Sequence, residues 1–200
     1  MKHTTLIIGD IHGKLDKYEN VVKFANFYGY NTLTVGDNGF QKEWEWGLKT
    51  LDTEKHRWLH GNHDSTDYVD SPLSLGHFGV WNGIFTIRGA YSIDRIHRIQ
   101  GRDWFPDEEL NYAQMSCCFD LWEKIKPKIV VTHDCPSSVC DQLFNFNDQP
   151  SVTRKFLEEL FAVHQPKQWV FGHFHQRREK TINGTRFICL PELNWIKINH

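Results

Sequence analysis

Apolar residues along the chain fall into short runs, and most runs stop at a glycine followed by polar residues. Thr4–Ile8 is β-branched and apolar and ends at Gly9, which predicts a strand. Leu15, Tyr18, Val21, Val22, Ala25 and Tyr28 then recur at the spacing of one helix face. Thr32–Val35 predicts a second strand, stopping at Gly36. Trp44–Leu51 predicts a short helix with Trp44 and Trp46 covering a face, and His56–His60 a third strand ending at Gly61. Strands and helices in this alternation predict parallel strands joined by crossover helices.

The middle of the chain reads differently. Phe78–Trp81, Ile84–Arg88 and Tyr91–Ile93 predict short strands separated by Gly and Asn, where the sheet turns antiparallel. Residues 94–106 read as an irregular loop. Pro106, Asp107, Glu108 and Glu109 predict a helix start with acids at its positive end. Leu110, Ala113, Cys117, Leu121 and Ile125 would be the apolar face of that helix. Lys128–Thr132 predicts a buried strand. Ser151 fits the cap of a helix carrying Val152, Phe156, Leu157, Leu160 and Phe161. Gln168–Phe171 predicts a strand ending at Gly172, and Asn183-Gly184 a hairpin between 176–182 and 185–189.

The polar tips carry the chemistry. They read GDIHG (9–13), GDNGF (36–40), GNHD (61–64), THDCP (132–136) and GHFH (172–175). In an open α/β sheet, ligands bind at the carboxyl ends of the strands, so the five tips predict one shared site. Asp10-x-His12 and His173-x-His175 aim two side chains the same way if the tip stays extended. Taken alone, an Asp-x-His after a strand is more often a turn with a capping Asp. Asp64 also fits the N-cap of a helix over Ser65–Val69. The ordered set of five outweighs those separate readings.

That set resembles the calcineurin-like metallophosphoesterases, whose motifs GDxHG, GDxx, GNH[DE], a later His and GHxH run in the same order from Asp10 to His175. The resemblance implies a single domain over residues 1–200. Its fold would be a four-layer α/β/β/α sandwich, two mixed β-sheets flanked by helices, with the metal site at the strand carboxyl ends. It also implies two divalent ions. Asp10, His12 and His175 would hold one, Asn62, His133 and His173 the other, and Asp37 would bridge them. His63 would protonate the leaving oxygen or stabilise the phosphoryl charge, and Asp64 would hydrogen-bond its other ring nitrogen. A carboxylate–imidazole–amide shell suits Mn²⁺, with Fe and Zn²⁺ as alternatives, and is not a thiolate site. Two such ions activate water and polarise a phosphoryl group, so ester hydrolysis needs no covalent enzyme intermediate.

Some residues depart from the superfamily's Ser/Thr protein phosphatases, which carry GDxxDRG and GNHE. Here the second tip has no arginine and the third ends in Asp64. The guanidinium that clamps a phosphomonoester is missing from its usual place, which lowers that reading. Arg88, Arg95, Arg98 and Arg102 are candidates to substitute. Segment 88–110, basic and aromatic, is similar to an insert of small bacterial and phage members. It offers Arg88, Tyr91, His97, Trp104 and Phe105 as substrate-binding groups, although Trp104 and Phe105 also fit a core-capping role.

Composition narrows the substrate. The net charge is −2, so no global basic field points to nucleic acid. A small nucleotide-like phosphodi- or monoester is favoured, with a nuclease as the alternative. A non-catalytic scaffold would be expected to have lost ligands, and none is missing. His3, His56, His60, His77, His97, His164 and His200 fit no ligand spacing and read as surface or structural. Five cysteines without a CxxC point to reduced thiols in the cytoplasm, with Cys135 an inert thiol. The first residues do not read as a signal peptide, and no apolar run approaches the roughly 18 residues of a membrane span.

Overall fold

In a computed structural model describing residues 4–146 and 150–199, the β-branched runs form two sheets. His3 and His200 lie outside the described residues. The first sheet holds β1 (Thr4–Ile8), β2 (Asn31–Thr34) and β3 (His56–Trp58), parallel and linked by helices α1 (Leu15–Tyr28) and α2 (Gln41–Thr50). Its outer edge is β10 (Trp195–Asn199), antiparallel to β1, with Thr4 opposite Asn199. The second sheet contains β4 (Phe78–Trp81), β5 (Ile84–Ile87), β6 (Ile129–Thr132), β7 (Gln168–Phe171), β8 (Arg178–Ile182) and β9 (Thr185–Cys189). Its order is β4-β5-β6-β7-β9-β8. The two outer pairings are antiparallel and the inner ones parallel. Helices α3 (Tyr112–Ile125), α4 (Ser137–Phe144) and α5 (Val152–Val163) pack on this sheet.

The alternation of side chains along the strands builds the layers. Leu6 and Ile8 of β1 meet Tyr18, Val22 and Trp44 from α1 and α2. Ile7, on the other face, meets Leu33, Val131, Val170 and Ile188 between the sheets. Val130, Trp169, Phe171 and Phe187 face Trp122, Leu157 and Leu160 of α3 and α5. Three buried clusters thus fill three gaps between four layers, and the α/β/β/α arrangement is as the resemblance implied. Burying each large apolar side chain contributes about 1.5–3 kcal/mol, so the sheets form a stiff base for the loops at their ends.

Three expectations are corrected. Tyr91–Ile93 is not a strand, because the Ser92 amide donates to the Glu108 carboxylate (2.9 Å) and not to a neighbouring strand. The helix expected from Pro106 begins at Tyr112, where Asn111 and Gln114 form a reciprocal capping box. Its inward residues are Cys118 and Trp122, whereas Ala113, Cys117 and Ile125 are exposed. Helix α4 and strand β10 were not expected.

Candidate metal centre

Each polar tip leaves a strand end and turns toward one locus. Asp10 follows β1, Asp37 follows β2, Asn62 follows β3, His133 follows β6, and His173 and His175 follow β7. The backbone is held there under strain. Of the positive-φ non-glycine residues among those described, His12 (46°), Asp37 (48°), His173 (66°) and His175 (52°) all belong to this locus. Such conformations cost about 1–3 kcal/mol each and persist where surrounding structure fixes them. Cross-links do the fixing. The amides of Ile11 and His12 donate to the Asp37 carbonyl (3.0 and 2.8 Å), and the Gly172 amide donates to that of His133 (3.1 Å).

Asp10, His12, Asp37 and His175 bring their ligand atoms within 4.8 Å of one another. His12 Nε2 lies 2.9 Å from His175 Nε2, and His175 Nε2 lies 3.1 Å from Asp10 Oδ2. Two imidazole nitrogens at that distance need a shared proton or a cation between them. Beside them, His133 Nε2 lies 3.0 Å from Asn62 Oδ1 and 3.4 Å from Asp37 Oδ2. His133 Nδ1 is 2.9 Å from the Val35 carbonyl, which only accepts, so the proton sits on Nδ1. Nε2 therefore turns its lone pair on two oxygens unless a positive charge intervenes. Burial opposes that charge, but Asp37 and Asp10 outweigh it and hold the His133 imidazolium up to about 10. Burial likewise opposes ionisation of Asp37, yet His133, His63 and His12 keep its carboxylate well below the usual range. His175 is raised by its hydrogen bond to Asp10, while burial lowers His12 and drives His173 well down. Asp10 and Asp37 are buried, and among the described residues their ion-pair partners are histidines, not lysine or arginine. A donor set of this kind fits a divalent cation.

The Asn62 amide is oriented by a relay absent from the motifs. Its Nδ2 donates to Ser92 Oγ (2.9 Å), and Ser92 Oγ donates to Glu108 Oε2 (2.5 Å). This aims Oδ1 at the centre. Glu108, read from sequence as a helix-start acid, is buried, and burial raises its carboxyl. Glu192 is a second missed residue. It pairs with Lys14 and places Oε1 3.9 Å from His175 Nδ1. Ser92→Ala should leave the fold intact and weaken metal binding about 10–100-fold, the usual cost of losing an outer partner. Metal titration checks this, and an unchanged affinity would remove Ser92 from the relay.

His63 flanks the centre, with Nε2 3.1 Å from Asn62 Nδ2 and Nδ1 3.1 Å from the Asp103 carbonyl. The expected contact between Asp64 and His63 is not made. Asp64 accepts from the amides of Asn38 (2.8 Å), Gly39 (3.0 Å) and Gly61 (2.9 Å), so it binds two tips together. Nor does Asp64 cap a helix; Ser65 caps the short 3-10 turn Thr66–Tyr68.

A sequence model described as calcineurin-like phosphoesterase matches residues 3–177. The chain belongs to that family. Among solved structures it is similar to TT1561 of Thermus thermophilus, with a TM-score of 0.60 and 13% identity, covering 100% of this chain and 99% of that one. It is also similar to the phosphopantetheinyl hydrolase PptH from Mycobacterium tuberculosis, with a TM-score of 0.58 and 18% identity, covering 96% and 90%. No curated protein matches the chain in sequence. Among the described residues no helix is long and apolar enough to cross a membrane.

In this family member a cavity of about 390 Å³ opens beside the centre. It is lined by Asn62, His63 and His173 together with Phe144, Phe174 and Arg154. Segment 88–110 borders it through Ser92, Asp94 and Arg98, with Arg98 paired to Asp94 (2.9 and 2.6 Å). The five residues offered for substrate binding do not line it. Arg88 is buried and donates to His77 Nδ1 (2.8 Å) and the Asp107 carbonyl (2.9 Å), which pins the loop. Tyr91 lies under the Arg95 guanidinium, 4.9 Å from ring centre to Cζ. His97 is exposed in a 3-10 turn, and Trp104 is half-buried in a turn with the Gly101 amide on its carbonyl. Phe105 is buried.

Glycine is required where tips touch ligands. A Cβ on Gly61 would overlap Asp37 Oδ1 and the Asp37 amide, and one on Gly172 would overlap Asp10 Oδ1. Gly61→Ala should destabilise the protein by about 1–3 kcal/mol through overpacking. It should also displace Asp37. Thermal melts and metal content check this, and wild-type values in both would show that the tip has room.

Proposed function

We propose that the chain is a binuclear metal-dependent phosphoesterase that hydrolyses the P–O bond of a small, nucleotide-like phosphodi- or monoester. One observation carries this: Asp10, His12, Asp37 and His175 bring their ligand atoms together beside His133 and Asn62, and among the described residues the two buried carboxylates have histidines, not lysine or arginine, as ion-pair partners. On this reading Asp10, His12 and His175 hold one ion, Asn62, His133 and His173 the other, and Asp37 both. Bound ions, Mn²⁺ foremost with Fe or Zn²⁺ as alternatives, supply an activated water and neutralise phosphoryl charge. His63 faces the cavity end where the phosphoryl group sits. Its Nδ1 donates to the Asp103 carbonyl, and its Nε2, which meets Asn62 Nδ2 here, is the atom that would turn to the phosphoryl or leaving oxygen. In that position His63 would deliver a proton from Nε2 to the departing alkoxide. The loops around Asp64 and Glu108 keep these groups in place before substrate arrives.

The cavity volume lies within the range of small-molecule sites, about 300–1,000 Å³, which favours a small ester over a polymer. A panel of phosphomonoesters, cyclic nucleotides and dinucleotides assayed with Mn²⁺ tests the proposal. Hydrolysis of one class, lost with chelator and restored by metal, is expected. Activity confined to DNA or to phosphoproteins would replace it with the nuclease or protein-phosphatase reading, and full metal loading without turnover on any class with a scaffold.

A further inference from the structure

The cavity carries a second group of lining residues, beginning at Phe174, whose ring centre is 5.2 Å from that of His173. Arg154 on α5 is only 5% exposed, and its Nε donates to both oxygens of the buried Asp134, at 3.1 and 2.8 Å. Its guanidinium carbon lies 5.5 Å from the ring centre of Phe146 and 5.2 Å from that of Phe174. Phe144 stacks on Phe174 with centroids 4.0 Å apart and planes within 10°. Arg154 and all three rings line the same cavity as Asn62, His63 and His173.

A guanidinium presents five N–H donors in a rigid fork. An arginine that served only to neutralise a carboxylate would best use two nitrogens on it. Here Nε alone faces Asp134, and among the described residues no hydrogen bond engages either Nη. Those donors stand on a cavity wall between flat apolar rings. The guanidinium itself covers Phe146 and Phe174, and the cavity beside them admits a planar group whose anion meets the fork, where aromatic contacts and charge-assisted hydrogen bonds add. The reacting phosphoryl is already accounted for at the His63 end.

We propose that Arg154, with Phe144, Phe146 and Phe174, forms a subsite for a second anionic group borne on a planar ring of the ester's alcohol portion. This rests on the phosphoesterase reading above and names the substrate class: an ester with two anions, one met beside His63 and the other by Arg154. The second anion is a carboxylate or another phosphate, since both match the fork.

The test compares 4-carboxyphenyl phosphate with phenyl phosphate, in Mn²⁺, for the native protein and for Arg154→Lys. Lysine keeps a cation opposite Asp134 but has no fork. The native protein should prefer the carboxylated ester in kcat/KM. Arg154→Lys should lose at least about tenfold more on that ester than on phenyl phosphate, the scale of a hydrogen bond to a charged group. Equal losses on both esters, or no native preference, would overturn the subsite while leaving the phosphoesterase reading standing. Calorimetric binding of 4-carboxyphenylphosphonate against phenylphosphonate gives the same comparison without turnover. A preference there that Arg154→Lys removes, in a protein that hydrolyses neither ester nor any member of the panel above, would keep the subsite and sink the hydrolytic reading.

Discussion

Asp37→Asn should strip metal from both halves of the centre and all but abolish hydrolysis. One oxygen of Asp37 accepts from the His63 amide at 2.9 Å, and the other lies 3.4 Å from His133 Nε2 and 3.9 Å from His12 Nε2. The carboxylate therefore faces both groups of imidazoles at once. Asparagine preserves shape and removes the charge, and it turns an N–H₂ toward nitrogens that also need a cation. Outer partners of a metal site cost about 10–100-fold when lost, so a shared ligand should cost more than that. Metal analysis of the purified variant and kcat/KM on the best ester check it. Full activity at normal metal content would show that the bridging role is misassigned.

His63→Ala should keep both metals and slow turnover. The imidazole touches Asn62 through Nε2 and is anchored through Nδ1 on a backbone carbonyl, so removing it empties no ligand position. Loss of a general acid typically costs about 10²–10⁴-fold, and that range is expected for an alkyl ester with a poor leaving group. Nitrophenolate needs little protonation, so its rate should fall less. Rates on both esters, with metal content, decide the matter. Equal losses would assign His63 to the phosphoryl charge, and a lost metal would make it a ligand. Asp64→Asn should not copy this leaving-group signature, because its carboxylate holds the Gly39 and Gly61 amides and not His63. Lower stability and weaker metal retention are expected instead.

Much of the centre was legible because the signal was positional. A buried strand that stops, four times out of five at a glycine, and then presents Asp, His or Asn can be read from the residues alone, and five such stops in order converge in a parallel fold. Strands Thr4–Ile8 and Gln168–Phe171 matched to the residue for the same reason. What was not legible depended on which way a polar side chain turns. Glu108 sits in a run of acids that suits a helix start, yet its carboxylate goes inward to Ser92. Arg88 looked like a phosphate clamp and is instead spent on loop carbonyls. The cavity wall was missed because Phe144 lies on α4, a helix of only eight residues whose apolar spacing at Val139, Cys140 and Leu143 is brief. Strand β10 did carry a signal, with Ile196 and Ile198 alternating with Trp195, Lys197 and Asn199.

That strand also sets when the catalytic loop can exist. The Gly9 amide donates to the Asn194 carbonyl (2.8 Å), and the Leu193 amide to the Asp10 carbonyl (3.1 Å). Thr4 meets Asn199 across 195 positions of chain. The tip that carries Asp10 is thus gripped by residues far along the chain. Contacts of such separation are slow to form, because loop closure must precede them. As the chain folds, the inner strands of the second sheet can pair before β10 returns to β1. Asp10 lacks its backbone clamp until then, so capture of metal in the finished geometry follows the docking of β10.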